Sequence, residues 1–274
     1  MMSSTRGDQP DDGMQFVLLS RNTPPASDPG IDSIEALHAR WQYALPCLGG
    51  GSLIVQIMAF ELAQFSLEAF GLCNIACPDT IARSVRKRQA EYFFGRLAAQ
   101  QALQHQVLVA AGTYPDIATG SSREPLWPAQ VIGSISHTNR LAAAAVAPLG
   151  RWRGIGIDLE HVVGADARDA LLSIVVDSSE LALLQSICAS TNVPLDVLLT
   201  IVFSAKESLF KASFSAVGRY FDFSCAHLVA LDPIAGVVRF QLSEQLCPDL
   251  PSGHLCDISF GFVDSQTVIT YRIW

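Results

Sequence analysis

The stretch FSAKESLFKA at residues 203–212, read with GIGIDLE at residues 154–160, decides how this chain is organised. In GIGIDLE, Ile155, Ile157 and Leu159 alternate with Gly154, Gly156, Asp158 and Glu160. That period of two marks a half-buried strand, on which Asp158 and Glu160 share a face. Side chains two apart on a strand sit about 6 to 7 Å apart at the backbone. Both carboxylates then reach one hard, oxygen-loving cation. The two glycines are read as leaving room for a bulky ligand.

FSAKESLFKA follows a different period. Leu198, Leu199, Val202, Phe203, Leu209 and Phe210 recur at three and four residues, as on the buried stripe of a helix. Glu207 and Lys211 then lie one turn apart. A carboxylate facing a metal, with an ammonium group one turn on to neutralise phosphate, suits phosphoryl transfer. Each motif also has a structural reading: a solvated strand face, an S-x-x-E capping box at Ser204 and Glu207, a surface ion pair between Glu207 and Lys211. Their joint occurrence favours a magnesium-dependent phosphate site.

The chain has 274 residues, enough for one large domain or two small ones. Half of it is hydrophobic and 16% is charged, so most of its length is globular. A net charge of -8 and a pI near 5.1 argue against a nucleic-acid protein and require a local basic patch for any anionic ligand. The uncharged stretch at 97–115 contains Gln100, Gln101, Gln104, His105 and Gln106, and falls short of the ~20 apolar residues of a membrane span. No signal peptide is expected before Phe16, and seven scattered cysteines fit a reduced, cytoplasmic protein. The pairs Cys225/His227 and His254/Cys256 are read as core or surface residues rather than zinc ligands.

Along the chain, residues 1–32 are rich in Ser, Asp, Pro and Gly and are expected to form a mobile arm. A short helix is expected around 34–43, a strand at 53–60 and a long helix from about 80 to 109. Strands are expected at 131–136 and 142–147, joined by a turn at 137–140. Helices are expected at 167–189 and 195–214, and the end returns to strands at 226–231, 237–242, 255–263 and 267–273. The result is an α+β protein of two similar lobes, 33–152 and 153–274, without a detectable sequence repeat. Arg83, Arg86, Lys87, Arg88 and Arg96 make the basic patch, with Arg88 and Arg96 a little over two turns apart on one face. His137 follows Ser134 and Ser136 at a strand end, where a phosphate would meet them.

Four blocks in order, RKRQAEYFFGR at 86–96, REPLWP with GSISHT at 123–138, GIGIDLE, and FSAKESLFKA, give the chain its resemblance to the 4′-phosphopantetheinyl transferases, in the branch of enterobactin synthase component D. The resemblance runs from about residue 53 to 223. It implies a pseudo-dimeric two-lobed fold with the active site between the lobes. It also implies transfer of the phosphopantetheine arm of coenzyme A to a serine of an apo acyl or peptidyl carrier protein, releasing adenosine 3′,5′-bisphosphate. The carrier would serve siderophore, nonribosomal peptide, polyketide or fatty-acid synthesis, and the enzyme would act as a monomer. By the same resemblance Asp158, Glu160 and Glu207 hold Mg²⁺, and Glu207, Lys211 and His137 serve catalysis. Arg88, Arg96, Arg123, Glu124, Pro125, Ser136, His137, Asp158, Lys206 and Lys211 are then expected to contact coenzyme A.

Overall fold

Two antiparallel sheets face each other, and each carries one long helix on its outer side. The computed structural model describes residues 19–21, 28–150 and 152–274. In the N-terminal lobe, β1 (Leu37–Pro46), β2 (Ser52–Phe60), β3 (Val131–His137) and β4 (Leu141–Pro148) form a sheet in the order β1-β2-β4-β3. In the C-terminal lobe, β5 (Ile155–His161), β6 (Ala226–Asp232), β7 (Val237–Leu242), β8 (Leu255–Asp264) and β9 (Thr267–Ile273) are ordered β5-β9-β8-β7-β6. The expected α+β class and two-lobed plan are therefore present, with sheets of four and five strands.

Residue parity sorts the core into three layers. Met58, Phe60, Ala142, Ala144 and Val146 face α4 (Arg86–His105), where Phe93 and Phe94 are fully buried. Phe94 stacks on Phe60 at 4.4 Å between ring centroids. The alternate residues Val55, Ile57, Ala143 and Ala145 face the other way and meet Ile155, Ile157, Leu159 and Ile269 of the second sheet. On the far side of that sheet, Val238, Phe240, Ile258 and Val268 pack against Leu198, Leu199, Val202 and Leu209 of α7 (Leu195–Val217). Fully burying one such large apolar side chain is worth about 1.5–3 kcal/mol. The layer between the sheets therefore joins the lobes firmly. Tyr43 and Tyr271 add hydroxyl bonds across it, to the carbonyls of Val263 at 3.4 Å and Pro46 at 3.0 Å.

Several local expectations are corrected. The helix expected around 34–43 is replaced by β1, because Trp41, Tyr43 and Leu45 alternate into the inter-sheet layer at strand period. β1 turns into β2 through Gly50 and Gly51, at φ of 85° and 82°, conformations that glycine adopts freely. The helix expected from 80 to 109 is two, α3 (Asp79–Ala82) and α4, after α2 (Glu68–Leu72). The Gln89 amide donates to the carbonyls of Ala82 and Ser84, both at 2.9 Å, and so satisfies groups that a continuous helix would have used. The stretch 167–189 is likewise α5 (Ala165–Val175) and α6 (Ser178–Thr191), divided where Asp177 and Glu180 form a capping box.

Most of the arm expected over 1–32 lies outside the described residues. Its described parts are attached: the Leu19 amide donates to the Phe262 carbonyl at 3.1 Å, Arg21 lies 4.3 Å from the Trp41 ring centre, and α1 (Pro29–Asp32) buries Ile31.

The glycines of GIGIDLE make room for protein, not ligand. A Cβ at Gly156 would strike the Ser208 carbonyl oxygen, and one at Gly154 the Ala212 carbonyl, both backbone atoms of α7. β5 and α7 are thus in backbone contact. Gly156→Ala is expected to lower stability by about 1–3 kcal/mol or more, the cost of overpacking a filled interior. Gly71→Ala, with nothing within 4 Å of its added Cβ and a place inside α2, is expected to be neutral or to gain up to about 1 kcal/mol. Denaturant titration of both variants checks the contrast, and equal stabilities would contradict it.

Candidate active site

The edge strands of the two sheets meet at β3 and β5. Ser134 and Ser136 point from β3 toward the second sheet, and their hydroxyls accept the amide protons of Ile157 and Leu159, each at 3.0 Å. The Ser136 hydroxyl also donates to Asp158 Oδ1 at 3.0 Å. From α7, the Ser204 hydroxyl donates to Asp158 Oδ2 at 2.8 Å. Lys211 closes the group, its Nζ lying 2.6 Å from Asp158 Oδ1 and 3.3 Å from both Ser136 Oγ and the Ile157 carbonyl. Strands β3 and β5 and helix α7 thus converge on one carboxylate that is 3% exposed.

The ordinary readings of the motifs give way here. Ser204 lies in the middle of α7 and cannot cap its start; it bonds Asp158 instead. Lys211 pairs with Asp158 across the lobe, not with Glu207 along the helix surface. Thr270 of β9, whose hydroxyl lies 3.0 Å from Ser204 Oγ and 2.7 Å from Ser208 Oγ, extends the polar seam beneath α7.

Glu160 and Glu207 flank this centre, and both carboxyls are shifted upward, chiefly by burial. Glu160 is pushed up to about 8, with Asp158 and Glu207 adding to the burial and Lys211 opposing it. Glu207 is raised by burial and by Asp158, again against Lys211. Crowded carboxylates with raised proton affinity and oxygen-only donors fit a hard divalent cation, which relieves their mutual repulsion. Asp158, Glu160 and Glu207 are the residues that would hold it. Among the described residues, the acidic group whose ligand atoms all lie within 4.8 Å of one another is a different one: Asp177, Glu180 and His227. Asp177 and Glu180 are accounted for by the α6 capping box and by the buried pair of Glu180 with Lys206, and His227 lies 3.3 Å from Asp177.

His137, at the end of β3, receives a hydrogen bond from Arg88 Nη1 to its Nε2 at 3.3 Å. Burial, followed by Lys211 and Arg88, depresses its pKa to about 4. The ring is therefore neutral near pH 7, and its 3.8 Å contact with Glu91 is not an ion pair. A neutral imidazole that accepts from Arg88 orients that guanidinium toward the site, while Arg88 itself remains exposed.

A cavity of about 650 Å³ opens beside this cluster, between the lobes. Residues 121–125, Trp127 and Gly133 line one side, and Glu207, Phe210, Lys211 and Phe214 the other. Arg123 and Pro125 thus lie on the cavity wall. Glu124 also lines the cavity, but its carboxylate takes the Ser122 amide at 2.9 Å and so secures its own turn.

Three residues expected to contact coenzyme A have partners within the protein instead. Lys206 is 2% exposed and faces away from the cleft, because the next residue around α7 is turned by about 100°. Its Nζ donates to the Val175 carbonyl at 2.7 Å and to Glu180 at 3.0 Å. Arg96 is 8% exposed and does not share the open face of Arg88; its Nε and Nη2 hold the Ile117 carbonyl at 2.7 Å and Thr119 at 2.8 Å. It secures the base of the loop that carries Arg123. The Ser136 hydroxyl is spent on β5, Asp158 and Lys211. The S-x-S alternation of β3 signals two hydroxyls on one face, whereas no local pattern marks Thr270.

This lobe junction coincides with two family descriptions. The 4′-phosphopantetheinyl transferase N-terminal domain matches residues 77–147, and the 4′-phosphopantetheinyl transferase superfamily matches residues 154–256. Together they take in more than half of the chain. It belongs to the 4′-phosphopantetheinyl transferase superfamily. Enterobactin synthase component D of Salmonella typhi is 38% identical over 134 residues, 49% of this chain and 52% of that protein. The 4′-phosphopantetheinyl transferase Svp of Streptomyces mobaraensis is 36% identical over 163 residues, 59% of this chain and 62% of Svp. The 4′-phosphopantetheinyl transferase Npt of Nocardia iowensis is 34% identical over 150 residues, 54% of this chain and 62% of Npt. The match thus spans between half and two thirds of these relatives. Among the described residues, no helix is long and apolar enough to cross a membrane.

The raised Glu160 carboxyl predicts a pH dependence for the metal-free protein. Its folded value of about 8 exceeds the ordinary 4.5, so between these values the folded state keeps a proton that the unfolded chain has lost. Its contribution to stability is full below pH 4.5 and falls away as the pH rises to about 8. With chelator present, Glu160→Gln is expected to flatten the decline in unfolding free energy between pH 5 and pH 8. Identical slopes for wild type and variant would contradict the assignment.

Proposed function

We propose that this protein transfers the 4′-phosphopantetheine group of coenzyme A to a serine of an apo acyl or peptidyl carrier protein, with Mg²⁺ as cofactor. The observation that carries the reading is the junction itself. Glu207 and Lys211 line one wall of an inter-lobe cavity whose other wall presents Arg123 and Pro125, and Asp158 is paired with Lys211 behind that wall. Superfamily membership and the names of the transferases Svp and Npt support it. The name of the Salmonella relative favours a carrier of siderophore synthesis over one of polyketide or fatty-acid synthesis.

In the reaction the serine oxygen bonds to the β-phosphorus of coenzyme A. The bond from that phosphorus to the bridging oxygen breaks, and its electron pair leaves with adenosine 3′,5′-bisphosphate. The hydroxyl proton passes to Glu207 or to a water that Glu207 orients. Asp158, Glu160 and Glu207 would hold Mg²⁺, which would supply neutralisation of the pyrophosphate charge. Lys211 neutralises charge on the phosphate oxygens, and Arg88, oriented by neutral His137, grips a phosphate at the mouth. Catalysis of this kind rests on positioning and electrostatics more than on covalent chemistry.

Incubation with coenzyme A, Mg²⁺ and a panel of apo carrier proteins, followed by mass spectrometry, tests the reading. A phosphopantetheine adduct on a carrier serine is expected, together with its loss on chelation and at least a 100-fold loss in Asp158→Ala. Coenzyme binding without transfer to any carrier would make the protein a binding relative. Release of phosphate or nucleotide to water would make it a hydrolase.

A further inference from the structure

The loop over the cavity is tied down at both ends, by different lobes. Residues 118–126 form a small hairpin: the Gly120 amide donates to the Glu124 carbonyl at 2.8 Å and the Leu126 amide to Ala118 at 2.9 Å. Arg123 stands at its tip in the left-handed region, φ 68°. Arg96 of the N-terminal lobe holds the base of this hairpin. The tip is reached from the C-terminal lobe, where the Tyr220 hydroxyl donates to the Ser122 carbonyl at 2.5 Å.

Tyr220 is built for this reach. Helix α7 stops at Gly218, whose left-handed conformation (φ 69°) turns the chain back over the helix end. The Tyr220 ring then stacks on Phe210 at 5.4 Å and 21°, and leans on Phe214 at 5.8 Å. Phe210 and Phe214 line the cavity that the hairpin covers. Tyr220 itself is 60% exposed, so core packing does not account for it. Arg219 steadies the segment by pairing with Glu244 at 3.0 Å and by donating to the Tyr220 carbonyl at 3.3 Å.

We propose that Tyr220 is a positioning residue: its hydroxyl latches the C-terminal lobe to the 118–126 hairpin across the cavity mouth, and so holds Arg123 and Pro125 in place for coenzyme A. The latch is independent of the transferase reading, and its effect on coenzyme A rests on that reading. Ring stacking fixes the hydroxyl, and the hydroxyl fixes the hairpin.

Tyr220→Phe separates the parts, since it keeps the stacked ring and removes only the hydroxyl. Hydrogen exchange of the hairpin amides, Arg123 and Leu126 above all, is expected to quicken in the variant while α7 exchange stays unchanged. The dissociation constant for coenzyme A, measured by calorimetry, is expected to rise about 2- to 10-fold, the range for one lost hydrogen bond. The apparent constant for the apo carrier and the turnover at saturating coenzyme should stay within twofold. Unchanged hairpin exchange would overturn the latch. Faster exchange with unaltered coenzyme affinity would overturn the positioning role. Wild-type protein that shows no coenzyme binding at all would refute the transferase reading and the positioning role together, leaving the exchange result to decide the latch.

Discussion

The amides of Ile157 and Leu159 face outward from the free edge of β5 and are taken by the hydroxyls of Ser134 and Ser136. The rest of the structure depends on this junction. A buried amide without a partner costs about 1–3 kcal/mol, so the two sheets can close on each other only if that edge is satisfied. A neighbouring strand would have satisfied it by extending the sheet and separating the lobes. Side-chain hydroxyls satisfy it at a corner, which brings β3 onto β5 and leaves Asp158 beside Ser136.

From that corner the chemistry of the site follows. Asp158 is buried with bonds from Ser136, Ser204 and Lys211, each from a different direction, so its carboxylate is fixed in place. Glu160, two residues on, shares its face, and burial first and the neighbouring Asp158 second push its carboxyl up to about 8. The backbone contact of Gly154 and Gly156 with α7 sets how close Glu207 and Lys211 come to these acids. On the opposite side of α7, the buried pair of Lys206 with Glu180 fixes the rotation of the helix. Breaking such a pair by removing one partner is far costlier than the net worth of the pair. The face that carries Glu207 and Lys211 is therefore held from behind.

The sequence carried the main parts of this arrangement because period and charge are local. The alternation of GIGIDLE is strand β5, and the three-and-four spacing around Glu207 is α7. Other readings failed where a partner far along the chain decided the outcome. Trp41, Tyr43 and Leu45 form a strand because a second sheet covers them. Gly156 serves a helix carbonyl some 50 residues away, which no local pattern announces. Lys206 and Lys211 look alike in sequence, yet one meets Glu180 and the other Asp158. Arg96 and Arg88 share a helix, but the loop at 117–119 claims the first. The helix break before Arg86 is written in side chains, the amide of Gln89 and the hydroxyl of Ser84, which donates to the Ile81 carbonyl at 2.7 Å.

The most direct test of this account is residue-resolved hydrogen exchange at Ile157 and Leu159 in Ser134→Ala and Ser136→Ala. Each variant removes one acceptor from the lobe junction. Exchange is predicted to quicken at Ile157 in Ser134→Ala and at Leu159 in Ser136→Ala, with the amides of β9 unchanged in both. Protection that persists at both positions in both variants would show that another group satisfies the β5 edge, and would contradict the claim that these two hydroxyls join the lobes.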